Sequence, residues 1–163
     1  MKFSFVCLAL LLMFSGCSNV GKTAPDFKFT TRTGDVITSD NLKGKIVVLN
    51  VWATWCGTCL REIPALNKLY SKYESDTSVV FLAMCDDDEQ KMDVVLNRFD
   101  FKYPQVANAK EYTSRIQTRL VKTYPQNLIL DSSFKIIFEV SDGSQDIFTA
   151  LDQKIQSLKR QSS

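Results

Sequence analysis

Apolar positions along this chain switch between short continuous runs and spacings of three and four, a pattern that predicts strands alternating with helices. Ile46-Val47-Val48-Leu49-Asn50-Val51-Trp52 is an apolar, β-branched run and reads as a buried strand over 45–52. Leu60, Ile63, Leu66, Leu69, Tyr70 and Tyr73 then fall on one face of a helix over about 57–74. Val79 to Cys85 reads as a second buried strand. Asp86-Asp87-Asp88-Glu89 opens a helix whose Met92, Val95, Leu96 and Phe99 are expected to face inward. Pro104 starts a short extended piece through Ala107, and Tyr112, Ile116 and Leu120 mark a further helix. Leu128-Ile129-Leu130 and Lys135 to Val140 form a hairpin around Asp131-Ser132-Ser133, and Ile147, Phe148, Leu151, Ile155 and Leu158 line a final helix. Ahead of the first buried strand, Phe27 to Thr30 alternates, Thr33-Gly34-Asp35 turns and Val36-Ile37 returns, a small hairpin. A helical turn over 39–42, closed by Gly44, follows it. With no repeat or internal linker, the alternation argues for one α/β layer structure.

The amino terminus stands apart from that pattern. Lys2 supplies a positive start, and Phe5 to Phe14 form an apolar segment too short to span a bilayer as a stable helix. Phe14-Ser15-Gly16-Cys17 resembles a bacterial lipobox, cleaved before a lipidated cysteine, although Phe14 replaces the usual Leu. The expected division is a signal peptide over 1–16, a lipidated tether over 17–24 and a domain over 25–163. The bland alternative is ordinary secretory cleavage, with Cys17 left as a spare thiol. Export places the chain outside the cytoplasm, in the bacterial periplasm or cell envelope, where disulfides persist. Removing Lys2 with the signal leaves 19 basic side chains (20 − 1) against 18 acidic ones, a charge near +1 that gives no reason to expect a nucleic-acid partner. The chain has no histidine. Haem attachment through Cys-x-x-Cys-His and Cys/His zinc or copper sites are therefore excluded, and no metal centre is expected. Any general base must be a carboxylate, a lysine or a thiolate.

The chemistry lies in Trp55-Cys56-Gly57-Thr58-Cys59, where the buried strand gives way to the helix. At a helix start, free backbone N–H groups and the helix dipole favour an anion, so the first thiolate is stabilised, and the second thiol lies one turn later within bonding reach. The pair reads as a disulfide exchanger. Trp52 reads as packing and Trp55 as substrate surface. Cys85, ending a buried strand, reads as a small apolar filler. The acidic run 86–89 lacks calcium-ligand spacing and reads as a helix cap.

The motifs Ala24-Pro25-Asp26-Phe27, Leu49 through Cys59, Glu62 with Pro64, Tyr124-Pro125 and Leu128-Ile129-Leu130-Asp131 together resemble the TlpA/ResA-like group of thioredoxin-fold proteins. The resemblance implies a thioredoxin-like fold: a central mixed β-sheet flanked by helices, with an N-terminal β-hairpin and a central βα insertion at about 86–108. It implies a thiol-disulfide oxidoreductase whose only redox group is the Cys56–Cys59 disulfide, with no separate cofactor. Cys56 attacks and Cys59 resolves. Asn50 stands where thioredoxins carry a proton-accepting Asp, and the group uses a glutamate at the position of Glu62 instead; burial would raise its proton affinity toward working pH. Pro64 kinks the helix. Tyr124-Pro125 is expected to be a cis peptide opposite the thiols, with the Tyr124 backbone and Trp55 meeting an extended substrate. The implied partners are protein thiols and disulfides, an upstream membrane electron donor and the membrane itself through the lipid. The direction expected is reduction, with cytochrome c maturation one setting. The alternatives are a disulfide oxidase or isomerase, a thiol peroxidase, or a non-catalytic binding module. The peroxidase motif Pro-x-x-x-Thr-x-x-Cys is absent, and the presence of both cysteines argues against a binding module.

Overall fold

A computed structural model describes residues 19–117, 122–141 and 146–161. The elements run β1 (Lys28–Thr30), β2 (Val36–Thr38), α1 (Ser39–Leu42), β3 (Ile46–Trp52), α2 (Gly57–Tyr73), β4 (Val79–Cys85) and α3 (Glu89–Leu96), then β5 (Gln105–Val106), α4 (Lys110–Ile116), β6 (Gln126–Leu130), β7 (Ile136–Val140) and α5 (Ile147–Gln161). The five-stranded sheet is mixed, in the order β5-β4-β3-β6-β7, and β1 and β2 form a separate antiparallel pair. β4 runs parallel to β3 and β5 parallel to β4, whereas β6 and β7 are antiparallel to their neighbours. This is the thioredoxin-like fold.

β3 lies in the middle of the sheet because all seven of its residues are buried. Alternate side chains then serve two cores. Ile46, Val48 and Trp52 pack with Leu66 and Leu69 of α2 and with Leu151 and Ile155 of α5. Val47 and Leu49 pack on the opposite face with Leu42, Tyr112 and Ile116. Each such side chain stabilises the fold by roughly 1.5–3 kcal/mol when fully buried, so the strand is clamped from both sides. Its pairings, Trp52 with Cys85 and Val51 with Gln126, gather three chain segments at one end of the sheet. Those segments are 53–59, 86–89 and 124–125.

The segment between β4 and α4 is the βα insertion, carrying α3 and β5. It is bound into the core beneath the site: Trp52 stacks on Phe101 with ring centroids 4.8 Å apart, and the Trp52 indole N–H donates to Gln105 Oε1 at 3.2 Å.

Two details differ from the sequence reading, and others lie outside the described residues. Phe99 is partly exposed, because α3 ends at Leu96 and the chain turns there, with the Asn97 N–H bonded to Asp93 O. Residues 19–24, within the expected tether over 17–24, lie along β7. Gly21 N–H donates to Ile136 O at 2.7 Å, Ile136 N–H to Lys22 O at 2.8 Å and Ala24 N–H to Phe134 O at 3.0 Å. The open edge of β7 offers unpaired backbone groups that this polar stretch satisfies, so ordered structure already includes Asn19. The described part of α4 stops at Ile116; Leu120, Cys17 and the signal segment lie outside the described residues.

Candidate active site

α2 begins where β3 releases the chain, and Cys56 is its N-cap, with extended backbone angles. Cys56 Sγ accepts the Cys59 backbone N–H at 3.1 Å and lies 3.3 Å from Thr58 Oγ1. The two cysteines form a disulfide with S–S 2.01 Å and Cα–Cα 5.3 Å. Both are buried to the same degree, so exposure does not distinguish them. Capping does. Once the bond is reduced, a negative charge on Cys56 Sγ faces the first free N–H groups of α2 and the positive end of its dipole.

Glu62 lies one turn beyond Cys59 on the same side of α2, buried at 8% exposure, where an uncompensated charge would be costly. Its Oε2 accepts from Asn127 Nδ2 at 2.8 Å. Asn127 Oδ1 in turn accepts from Asn50 Nδ2 at 2.8 Å, and Asn50 Oδ1 accepts from the Tyr103 hydroxyl at 3.3 Å.

On the solvent side, Trp55 is 69% exposed beside a buried disulfide, an arrangement that supports recognition better than packing. The Tyr124 ring meets it edge-on at 5.3 Å, and Tyr124-Pro125 is a cis peptide. The Tyr124 hydroxyl donates to Asp86, which also accepts from Lys122 Nζ at 2.7 Å and Thr113 Oγ1 at 2.5 Å. Burial, reinforced by the Asp86 hydrogen bond, pushes the Tyr124 phenol above its usual value, so it stays a protonated donor. Asp87 Oδ2 holds the loop before the thiols by accepting from Thr54 N–H at 2.8 Å and Thr54 Oγ1 at 2.9 Å. Cys85 is fully buried, and burial pushes its thiol up to about 12. It remains a thiol at working pH. Among the described residues, no group of three or more cysteine, aspartate or glutamate side chains is placed to hold a metal ion.

The AhpC/TSA family model matches residues 20–138, most of the chain. The chain belongs to the AhpC/TSA family. Within that family its relatives include a thiol-disulfide oxidoreductase ResA of Bacillus cereus, 32% identical over 121 residues that cover 74% of this chain and 69% of that protein. The thioredoxin-like protein YneN of Bacillus subtilis is 33% identical over 113 residues, 68% of this chain and 65% of that protein. A crystal structure of a candidate thiol:disulfide interchange protein DsbE from Chlorobium tepidum superposes with a TM-score of 0.74 at 26% identity, covering 85% of this chain and 96% of that one. This member of the AhpC/TSA family is a thiol-disulfide oxidoreductase of the ResA/DsbE type, with Cys56 and Cys59 as its redox pair.

The structure brings Trp55, Cys56, Cys59, Glu62, Tyr124 and Pro125 to one end of the sheet. Pro64 lies inside α2, which continues through it to Tyr73. Only Asp88 caps α3, accepting the Lys91 N–H at 2.9 Å. Asp86 and Asp87, grouped with it in the sequence reading, hold Tyr124 and Thr54 instead. Four acids in a row exceed what one cap needs, and that surplus was the available signal. Tyr103 and Asn127 were also missed; Asn127 is a polar residue one place before an apolar strand run, paired in register with Asn50.

Proposed function

We propose that this oxidoreductase is a membrane-anchored, extracytoplasmic reductant of protein disulfides. The observation that carries the chemistry is Cys56 Sγ capping α2 beside the exposed Trp55 and the Tyr124-Pro125 segment. The Cys56 thiolate attacks one sulfur of a substrate disulfide; a mixed disulfide forms and the other substrate sulfur leaves as a thiolate. Cys59 gives its proton to Glu62 and its sulfur attacks Cys56 Sγ. The second substrate sulfur leaves and is protonated, and the Cys56–Cys59 disulfide forms. Two electrons pass to the substrate, and a membrane dithiol donor restores the pair by the same exchange. The disulfide of an apo-cytochrome c Cys-x-x-Cys pair, reduced to its two thiols, is one fitting substrate class. Reversal of the cycle, as an oxidase or isomerase, uses the same residues.

The amino-terminal segment supports a position near the membrane. β7 runs toward the thiol end of the sheet, and residues 19–24 are antiparallel to it, so Asn19 lies at that end. Asn19 N–H donates to Glu139 Oε2 at 3.1 Å, and Gln126, next to Pro125, donates to Glu139 Oε1 at 3.0 Å. A lipid on Cys17, two residues upstream, would be held within about 7 Å of Asn19, with the dithiol on the membrane side.

Cys59→Ser should trap substrates on Cys56 as mixed disulfides in cells, and wild type but not Cys56→Ala should reduce insulin. Recovery of no trapped partner where the wild type cycles would sink the order of attack. Absence of palmitate label on Cys17 would sink the anchor alone.

A further inference from the structure

We propose that Tyr103, Asn50 and Asn127 form a one-way hydrogen-bond chain that positions the Glu62 carboxylate, so that the insertion carrying Tyr103 sets the pH range in which the dithiol resolves its mixed disulfide. The proposal rests on Glu62 as the base for Cys59.

The direction of the chain follows from its chemistry. An ionised carboxylate only accepts, so Asn127 must turn its NH2 toward Glu62. Its carbonyl oxygen then faces Asn50, which must also donate, and the Asn50 oxygen is left for the Tyr103 hydroxyl, which must donate as well. Every dipole points the same way. All four side chains are buried, so none exchanges its partner for bulk water at low cost.

Packing fixes the chain in place. Asn50 and Asn127 face each other directly across the β3–β6 pairing. Tyr103 is held among the rings of Tyr70, Phe81 and Phe101 at 6.1, 6.2 and 6.0 Å, so its hydroxyl has a set direction. Burial, and then the charge of Glu62, push the Tyr103 phenol up, so it stays a donor. Titratable groups facing Glu62 include Cys59, from α2 itself, and Tyr103, from the insertion. β3 and β6 present the two amides, and α5 contributes the apolar Ile147, Leu151 and Ile155 to the shared core.

Burial disfavours the ionised carboxylate and the donor chain favours it. Removing a donor therefore leaves less base at a given pH, and the acidic limb of resolution moves to higher pH. The chain does not carry a proton, because an amide cannot relay one without changing form; these three are positioning residues. Where thioredoxins place the acid itself on the strand, this protein places an amide link there and the acid on the helix.

The test is the rate at which Cys59 resolves a preformed Cys56–peptide mixed disulfide, measured from pH 5 to 9 in the wild type, Tyr103→Phe, Asn127→Ala and Glu62→Gln, and in each double variant with Glu62→Gln. Losing the charged hydrogen bond in Asn127→Ala should slow resolution about tenfold at neutral pH and raise the acidic limb by about one pH unit. Tyr103→Phe, which keeps the ring and its packing, should move both in the same direction by a smaller amount, about threefold in rate. In the Glu62→Gln background neither change should alter the rate further, the coupling expected of one unit. Equal effects in both backgrounds, or an unmoved limb, would overturn the chain. If Glu62→Gln alone leaves the rate unchanged, the base itself is misassigned, an outcome distinct from failure of the chain.

Discussion

Replacing Asp86 with alanine tests whether its carboxylate organises the substrate-facing wall. The side chain is 8% exposed and accepts from three groups: the Tyr124 hydroxyl, Lys122 Nζ and Thr113 Oγ1. Alanine strands an ammonium that is 23% exposed and removes the acceptor from two hydroxyls. Breaking a fully buried ion pair costs about 3–5 kcal/mol. The figure here is smaller, because Lys122 keeps some water and also donates to Lys110 O at 3.2 Å, and the Thr113 hydroxyl can turn to the same oxygen, 3.2 Å away, once Asp86 is gone. We expect a loss of about 2–3 kcal/mol, read as a fall of roughly 1–2 M in the urea midpoint of the oxidised protein at unchanged slope. Asp86→Asn keeps an acceptor for the hydroxyls and should lose about half as much. The functional arm is turnover of a peptide disulfide: freeing Tyr124 should raise KM while single-turnover resolution, which the proposed cycle assigns to Cys59 and Glu62, is unchanged. A stability loss below about 0.5 kcal/mol, the range of an ordinary surface change, would refute the carboxylate as organiser.

Three further outcomes follow from burial and charge. Cys85, with its thiol near 12, should resist iodoacetamide at pH 8 in the oxidised folded protein and react only after unfolding, as read by mass spectrometry; labelling in the fold would contradict its burial. Trp52→Ala should cost about 3–5 kcal/mol through loss of a fully buried ring, whereas Trp55→Ala should leave the unfolding midpoint within about 0.5 kcal/mol and raise KM for peptide disulfides. Asp76 is drawn down from 3.8 to about 2 by hydrogen bonds from Lys159 and then Ser78. Its stabilisation is complete above about pH 4 and drains as pH falls toward 2. Asp76→Asn should flatten the stability profile in that window, and an unchanged profile would remove the Asp76–Lys159 pair as a contributor.

The fold was legible because its core strands are extreme cases. β3 and β4 are buried almost throughout, so their apolar runs had no solvent-facing interruptions to confuse a period of two with a helix. The redox pair was legible for a local reason: strand, thiol, helix start and second thiol are consecutive, and the N-cap role of Cys56 needs only its neighbours. The pairing of residues 19–24 was not legible because a polar stretch has the same composition whether it is free or paired to a strand edge through its backbone. Backbone pairing leaves little trace in side-chain pattern. Phe99 was misread because an apolar residue at the right spacing says nothing about whether the helix has already ended.

The polar interior shows a deeper limit. Asn50 was noticed for what it lacks, a proton-accepting oxygen at the position of a familiar acid, and its actual neighbours are 53 and 77 positions away. An amide in a buried strand signals that a partner must exist, because leaving it unpaired costs about 1–3 kcal/mol. It does not say which partner. Asn127 is determined only by strand register and Tyr103 only by the path of the insertion, and both are tertiary facts. Asp86 follows the same logic: its run of acids advertises a helix start, while its three donors arrive from α4, from Lys122 and from the residue before Pro125. The thiols are thus specified by local sequence, and the groups proposed to tune and wall them by contacts across the fold. Relatives that keep the Cys-x-x-Cys run can therefore differ in resolution pH and in substrate without any change between Trp55 and Cys59.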